Sequence, residues 1–328
     1  MQTTAITFTG VNQVEVAPAE VPDPGPGQVL VRAVYSGVSP GTELRCLAGK
    51  QPDAVPWPFI SGYSQAGVIA ARGEGVSLSV GTPVFCTGTS ASSPAPMWGG
   101  HVAHALRAEH DVIPLPAGVE MLDASLAHMI AIAYHGLRLA RPLPHEQVVV
   151  IGLGLIGQLS ARIFTATGAR VLAVDRIAAR VALARQDGVH ALLADDLDAT
   201  IRAVFPDGAD IIVDASGAPA VLVQAIHLAR DLPWDDTPTP GARYLVQGSY
   251  PAEFAIPYQA AFRKELTLLL PRDMQPRDVR TSLDLLARGR LAVRNLIGRI
   301  AAPQAAPEVY AALAAPNAEL VTAVFDWR

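Results

Sequence analysis

Val148-Val-Val-Ile151 runs directly into Gly152-Leu-Gly154-Leu-Ile-Gly157, and this stretch decides the fold. Four consecutive β-branched residues suit a strand buried on both faces. The glycines follow at once and open a long helix, after which Arg170-Val-Leu-Ala-Val174 reads as a second strand. Strand, helix and strand at this spacing make a βαβ unit. The three glycines do different things. Gly152 permits the tight turn, Gly154 lets backbone approach a pyrophosphate, and Gly157 lets helix and strand pack closely. Leu155 and Ile156 begin the helix, whose free N–H groups and positive dipole end favour an anion. Asp175 closes the second strand, where a carboxylate accepts both ribose hydroxyls of an adenosine. That predicts NAD(H) over NADP(H), with Arg176 beside it softening the repulsion of a 2′-phosphate.

Outward from this core the alternation continues. Strands are expected at 210–214, 243–247 and 265–270, with a helix over 218–230 and an Ala-rich helix over 124–140 ahead of the glycine turn. This gives an α/β dinucleotide-binding domain over 124–270 with a mainly parallel, doubly wound sheet. Residues 1–123 alternate short β-rich runs with Pro/Gly turns and read as a β-rich domain. Residues 271–328 supply a helix at 277–288, a strand near 296–300, another helix and a closing strand at 320–325. Segments 90–96 and 232–241 read as flexible loops.

Composition narrows the function. The chain has 328 residues, 50% hydrophobic and 17% charged, with a net charge of −5, which argues against disorder and against a polyanionic partner such as nucleic acid. It holds no apolar run of about 18 residues, so no membrane span is expected. Met1 to Ala5 lack the basic start and apolar core of a signal peptide, and Cys46 and Cys86 suit a reducing compartment; the expectation is a cytoplasmic protein.

The order of domains, together with Pro58-Phe-Ile-Ser-Gly62, Trp98-Gly-Gly-His-Val-Ala103 and Asp210-Ile-Ile-Val-Asp-Ala-Ser-Gly217, resembles the medium-chain dehydrogenase/reductase superfamily along essentially the whole chain. The resemblance implies a GroES-like catalytic domain over 1–123, completed by 271–328, beside a Rossmann domain, with the active site in the cleft between them. It also implies that Ala215, Ser216 and Gly217 lie along the nicotinamide, and that the strand at 265–270 pairs across a two-fold axis to form a homodimer. The segment Ser39-Pro-Gly-Thr-Glu43 and the Gly62-Tyr63 pair resemble the branch containing the bacteriochlorophyllide hydroxyethyl dehydrogenase. Gly62-Tyr63-Ser64 departs from that branch's Gly-Tyr-Glu, so its substrate is not carried over.

Zinc members of the superfamily carry a cysteine, a Gly-His-Glu triplet and a third Cys or Glu ligand. At the matching places stand Ser39, Tyr63 with Ser64, and His128. A catalytic zinc needs about three thiolate, imidazole or carboxylate donors, and only His128 qualifies, so no zinc is expected. Alcohol chemistry then needs another proton relay. Tyr63 is the candidate acid/base, with Ser39, Thr42 and His128 as neighbours and Thr42 at the place where relatives keep a relaying hydroxyl. Against this stands the reading that Tyr63 and His128 only fill a vacated metal pocket. His101, His104 and His135 read as structural, His135 sharing a helix with His128, and Cys46 as a small buried hydrophobe.

Three functions follow. The first is a zinc-independent, NAD-dependent oxidoreductase acting on a secondary alcohol or ketone. The second is a zinc-free quinone or enoyl reductase using NADPH, against which Asp175 speaks. The third is a dinucleotide-binding protein without turnover. The loops 47–57 and 90–98, which line the pocket by resemblance, are poor in charge and favour an uncharged or apolar small molecule.

Overall fold

The computed structural model describes residues 1–235, 239–251 and 253–328. The chain divides into two compact units, Met1–Met129 with Val279–Arg328, and Ile130–Asp278. The division passes through the helices Ala127–Ala140 and Pro276–Ala287, not through loops, and so lies beyond the positions 123 and 270 read from the sequence.

In the Ile130–Asp278 unit six parallel strands form one sheet, ordered Ala191–Leu193, Arg170–Asp175, Gln147–Ile151, Ile211–Asp214, Arg243–Val246, Thr267–Leu269. Numbered within the unit this is 3-2-1-4-5-6, the order of a dinucleotide-binding Rossmann sheet. Successive side chains of a strand face opposite ways. Val149, Ile151, Leu172, Val174, Ile212 and Tyr244 therefore build one buried core. Val148, Val150, Val171, Ala173, Ile211 and Leu245 build the other, on the opposite face. Helices cover both faces, which is why these strands read as unbroken apolar runs.

The other unit holds two sheets. Four strands run in the order Gln13–Glu20, Gln2–Gly10, Phe59–Ile60, Ala95–Pro96. In the seven-stranded sheet Gln28–Gly37 pairs with Gln65–Arg72, with His104–Ala108 and with Thr322–Asp326. The last pairing, with Phe325 opposite Ser36, ties the end of the sequence to its beginning. Beneath it Phe8, Phe59, Tyr310 and Phe325 pack together, Phe8 meeting Tyr310 edge-on at 5.1 Å.

Four expectations are corrected. The helix over 124–140 is two, Met121–Ala124 and Ala127–Ala140, because Ser125 folds its hydroxyl onto the Leu122 carbonyl (2.7 Å) and gives its own carbonyl to Ser64 Oγ (2.7 Å). The strand at 265–270 shrinks to Thr267–Leu269, since Glu265 adopts φ +43°, outside the extended region. The helix over 218–230 ends at Ala225 and passes through a 3-10 turn at Ile226–Leu228, after which Arg230 N–H bonds the Ala209 carbonyl. The 90–96 segment is pinned, with Ser93 and Glu20 exchanging backbone hydrogen bonds and Ala95–Pro96 pairing with Phe59–Ile60. Of the loop expected at 232–241, residues 236–238 lie outside the described residues.

Candidate functional site

The glycine turn forms as its residues require. Gly152 takes φ +87°, open to glycine at little cost, and its N–H bonds the Val174 carbonyl at 2.9 Å. A Cβ on Gly157 would stand 1.7 Å from the Gly152 carbonyl oxygen, so helix and turn touch only because that position is bare. Gly154 differs: a Cβ there would meet only Arg180 Nη1, at 3.9 Å, which leaves open space over the turn. Gly154 is also the N-cap of the helix Leu155–Thr165, and no side chain caps it. Its first N–H groups, including those of Leu155 and Ile156, are thus open to an anion.

Asp175 is buried at the end of its strand and holds this turn. Its Oδ2 accepts the Leu153 N–H at 2.6 Å and its Oδ1 the Ile177 N–H at 2.8 Å. Each oxygen keeps a second lone pair for a ribose hydroxyl. Arg176 is exposed beside it. Burial lowers the Arg180 pKa, and Asp175 opposes that shift.

On the neighbouring strand Asp214 is fully buried and satisfied by four donors: Ser216 N–H (2.9 Å), Ser216 Oγ (2.6 Å), Tyr244 Oη (2.7 Å) and Tyr250 Oη. These bonds shape the Ala215-Ser216-Gly217 turn, where Gly217 takes φ +67°. Burial, reinforced by Asp214, pushes both phenols well above their ordinary range.

In the other unit the expected hydroxyl site is assembled. Tyr63 is buried and donates to Ser39 Oγ; its ring lies 4.6 Å from that of His128 and meets Trp98 edge-on at 5.3 Å. Trp98 is exposed and sits at φ +66°, unusual for so bulky a residue, at the head of the Gly99-Gly100 turn that carries it over Tyr63. Thr42 is half-buried on the first turn of the helix Pro40–Leu47, which Ser39 precedes. The structure thus brings Tyr63, Ser39 and His128 together.

Two residues outside the candidate acid/base group stand directly behind it. Glu43 and His101 are buried and paired, His101 Nε2 to Glu43 Oε2 at 2.9 Å, while Glu43 Oε1 accepts the Ser39 N–H at 2.7 Å. A Cβ on Gly62 would strike the His101 ring at 2.5 Å, which places that ring against the backbone of Gly62-Tyr63. The signal available in the sequence was a glutamate one turn into a helix after a serine, a near relative of the capping box. The other histidines read as structural have partners of their own. His135 Nδ1 pairs with Asp278 (3.0 Å) and His104 Nδ1 with Thr3 (3.0 Å). Burial, with Glu43 nearby, pushes the Cys46 thiol up to about 12, so it stays protonated.

At the places where zinc relatives carry ligands this chain offers Ser39, Tyr63, Ser64 and His128, three hydroxyls and one imidazole. That donor set does not fit zinc. Among the described residues no group of three or more His, Cys, Asp or Glu is disposed to hold a metal ion, and no helix is long and apolar enough to cross a membrane.

Comparison with known proteins agrees with the architecture. Residues 25–117 match the alcohol dehydrogenase GroES-like domain and residues 155–288 the family described as zinc-binding dehydrogenase. The chain is 26% identical over 339 residues to the 2-desacetyl-2-hydroxyethyl bacteriochlorophyllide A dehydrogenase of Cereibacter sphaeroides, covering 100% of this chain and 99% of that protein. Its fold matches an alcohol dehydrogenase of Escherichia coli CFT073 in complex with NADH (TM-score 0.83, 22% identity, 99% of each chain). It also matches a protein of Sinorhizobium meliloti 1021 bound to NADP (TM-score 0.85, 21% identity, 99% of each chain). The chain is an alcohol dehydrogenase-like oxidoreductase of the medium-chain dehydrogenase/reductase superfamily.

Proposed function

We propose that this protein is a zinc-independent, NAD(H)-dependent oxidoreductase that moves hydride between the nicotinamide and a secondary alcohol or ketone. The observation that carries the reading is the Tyr63–Ser39 hydroxyl pair, at positions that by resemblance match zinc ligands of metal-dependent relatives. The name of the bacteriochlorophyllide relative, a dehydrogenase of a hydroxyethyl-bearing molecule, supports an alcohol as substrate.

The glycine turn 152–157 and the open helix start would take the pyrophosphate, Asp175 the adenosine ribose, and the 215–217 turn the nicotinamide side. When bound, the nicotinamide supplies or accepts the hydride. The rest falls to this chain. In the direction of reduction Tyr63 gives its phenolic proton to the carbonyl oxygen as hydride reaches the carbonyl carbon, which leaves an alcohol and a phenolate. Hydroxyls can reverse their hydrogen bonds. Ser39 then turns its own hydrogen toward Tyr63 Oη and stabilises that phenolate. Oxidation runs the same steps backward. The packed aromatic surround of Tyr63, with Trp98 and His128, keeps water from the phenol and favours an uncharged, apolar substrate.

A homodimer belongs to the same reading. Thr267–Leu269 is the edge strand of its sheet, and an unpaired edge is a template for a second copy. Light scattering at the monomer mass of 34.5 kDa would remove it.

The function is tested by fluorescence titration with NADH and NADPH, followed by turnover on a panel of secondary alcohols and ketones. Selective NADH binding with alcohol oxidation supports it. Preference for NADPH would give the cofactor choice to Arg176 and favour a quinone or enoyl reductase; binding without turnover on any substrate class would leave a dinucleotide-binding protein.

A further inference from the structure

The helix Pro40–Leu47 begins in an unusual way. Ser39 is its N-cap, a position where serine normally turns its hydroxyl onto the free N–H groups of the first turn. Here the Ser39 side chain makes no cap bond, and its oxygen accepts from Tyr63 instead. Something must hold it there against its local preference.

The backbone around Ser39 is fixed from below. Glu43, one turn along the helix, reaches back with Oε1 to the Ser39 N–H at 2.7 Å. Its other oxygen accepts from His101 Nε2 at 2.9 Å and from Tyr310 Oη. His101 Nδ1 meets Ser36 Oγ at 2.8 Å, and Ser36 Oγ accepts from Trp327 Nε1 at 2.9 Å. An indole N–H can only donate and a carboxylate can only accept. Trp327 therefore gives to Ser36 and His101 Nε2 gives to Glu43, with Ser36 Oγ and His101 Nδ1 joined between them. The carboxylate is thus clamped from three sides in a fully buried setting, and it cannot swing away from Ser39.

We infer that Glu43, clamped by His101 and Tyr310, is a positioning residue that anchors the Ser39 backbone so that the Ser39 hydroxyl serves Tyr63 and not the helix cap. This rests on the proposed function, in which Tyr63 is the acid/base. It adds a residue that touches neither substrate nor cofactor and acts only through Ser39.

The test is a double-mutant cycle read on the Tyr63 phenol, with no substrate or nicotinamide present. Ultraviolet phenolate absorbance is followed through an alkaline titration, and the trace of the matching Tyr63→Phe protein is subtracted to isolate this one ring. Ser39→Ala removes the hydroxyl that stabilises the phenolate and raises the midpoint by about one pH unit. In the native background Glu43→Gln frees Ser39 to cap the helix and raises the midpoint too. In the Ser39→Ala background the same change only removes a negative charge, so the midpoint falls or stays. That non-additivity is the expected result, and equal shifts from Glu43→Gln in both backgrounds would overturn the inference. Tyr244→Phe, outside this network, is the control for a merely structural effect: it lowers the thermal midpoint through its lost bond to Asp214 while its effect on Tyr63 adds simply to that of Ser39→Ala. If Glu43→Gln does not fold by circular dichroism, His101→Gln is taken through the same cycle and carries the same two outcomes. Absence of dehydrogenase turnover counts against the proposed function alone, and additivity in this cycle against the positioning role alone.

Discussion

Tyr63 donates its phenolic hydrogen to Ser39 Oγ, and these two residues, 24 positions apart in the chain, share one buried site. Replacing the phenol by a phenyl ring keeps the packing against His128 and Trp98 and removes only the transferable proton. Tyr63→Phe should therefore lower kcat about a hundredfold or more, with NADH affinity unchanged. Steady-state kinetics beside a binding titration check this; an unaltered kcat would reduce Tyr63 to a filler of space.

Asp175 has two duties, toward the Leu153 N–H and, in the proposed function, toward the adenosine ribose. Asp175→Ala should cost about 1–3 kcal/mol of stability through the lost bonds to the Leu153 and Ile177 N–H groups. It should also reduce the preference for NADH over NADPH about tenfold or more, since a carboxylate no longer repels a 2′-phosphate. Paired titrations with the two dinucleotides measure the ratio, and a ratio that stays put takes Asp175 off the ribose.

Gly157→Ala places a methyl group 1.7 Å from the Gly152 carbonyl oxygen, a backbone atom that cannot step aside. A destabilisation of about 1–3 kcal/mol or more is expected, with loss of dinucleotide binding as the turn is pushed open. Thermal unfolding and NADH titration report the two effects separately. A stable protein that still binds NADH would mean that the turn yields more readily than its close contact implies.

Three phenols paired with carboxylates set an alkaline limit. Tyr244 and Tyr250 face Asp214, Tyr310 faces Glu43, and burial first, then the carboxylate, raises each above its usual value of 10.0. A raised folded-state pKa means the native form keeps its proton while the unfolded chain loses it. The contribution is fully present below pH 10.0 and is lost progressively above it. Urea midpoints should fall steeply once the pH passes that value. Tyr310→Phe should lessen the slope, and a midpoint indifferent to pH in that range would contradict the argument.

How much of this was legible in the sequence follows from how local each signal is. The Rossmann half declared itself because strand, glycine turn, helix and acid are read within one stretch, 148–175, and the parallel sheet then follows from repetition. The Tyr63–Ser39–His128 group was legible through resemblance alone, since no periodicity joins those positions. The pairing of Glu43 with His101, 58 residues apart, and with Tyr310, 267 apart, was not legible at all. A buried glutamate looks like any helix-surface glutamate until the elements that enclose it are known. The same holds for the break at Ser125: it depends on the distant Ser64 hydroxyl, whereas the alanines around it announce an uninterrupted helix.

The pairing of Thr322–Asp326 with Gln28–Gly37 carries a cost during synthesis. The Ile130–Asp278 unit is one continuous stretch and can fold as soon as it leaves the ribosome, but the sheet begun by the first hundred residues waits for a strand made near the end. Until then the Tyr35–Gly37 end of that strand lacks its partner, a long-range closure of the kind that slows folding and exposes nascent chains to aggregation. A ribosome stalled just short of residue 322 would therefore hold a complete Ile130–Asp278 unit and an unfinished sheet in the other.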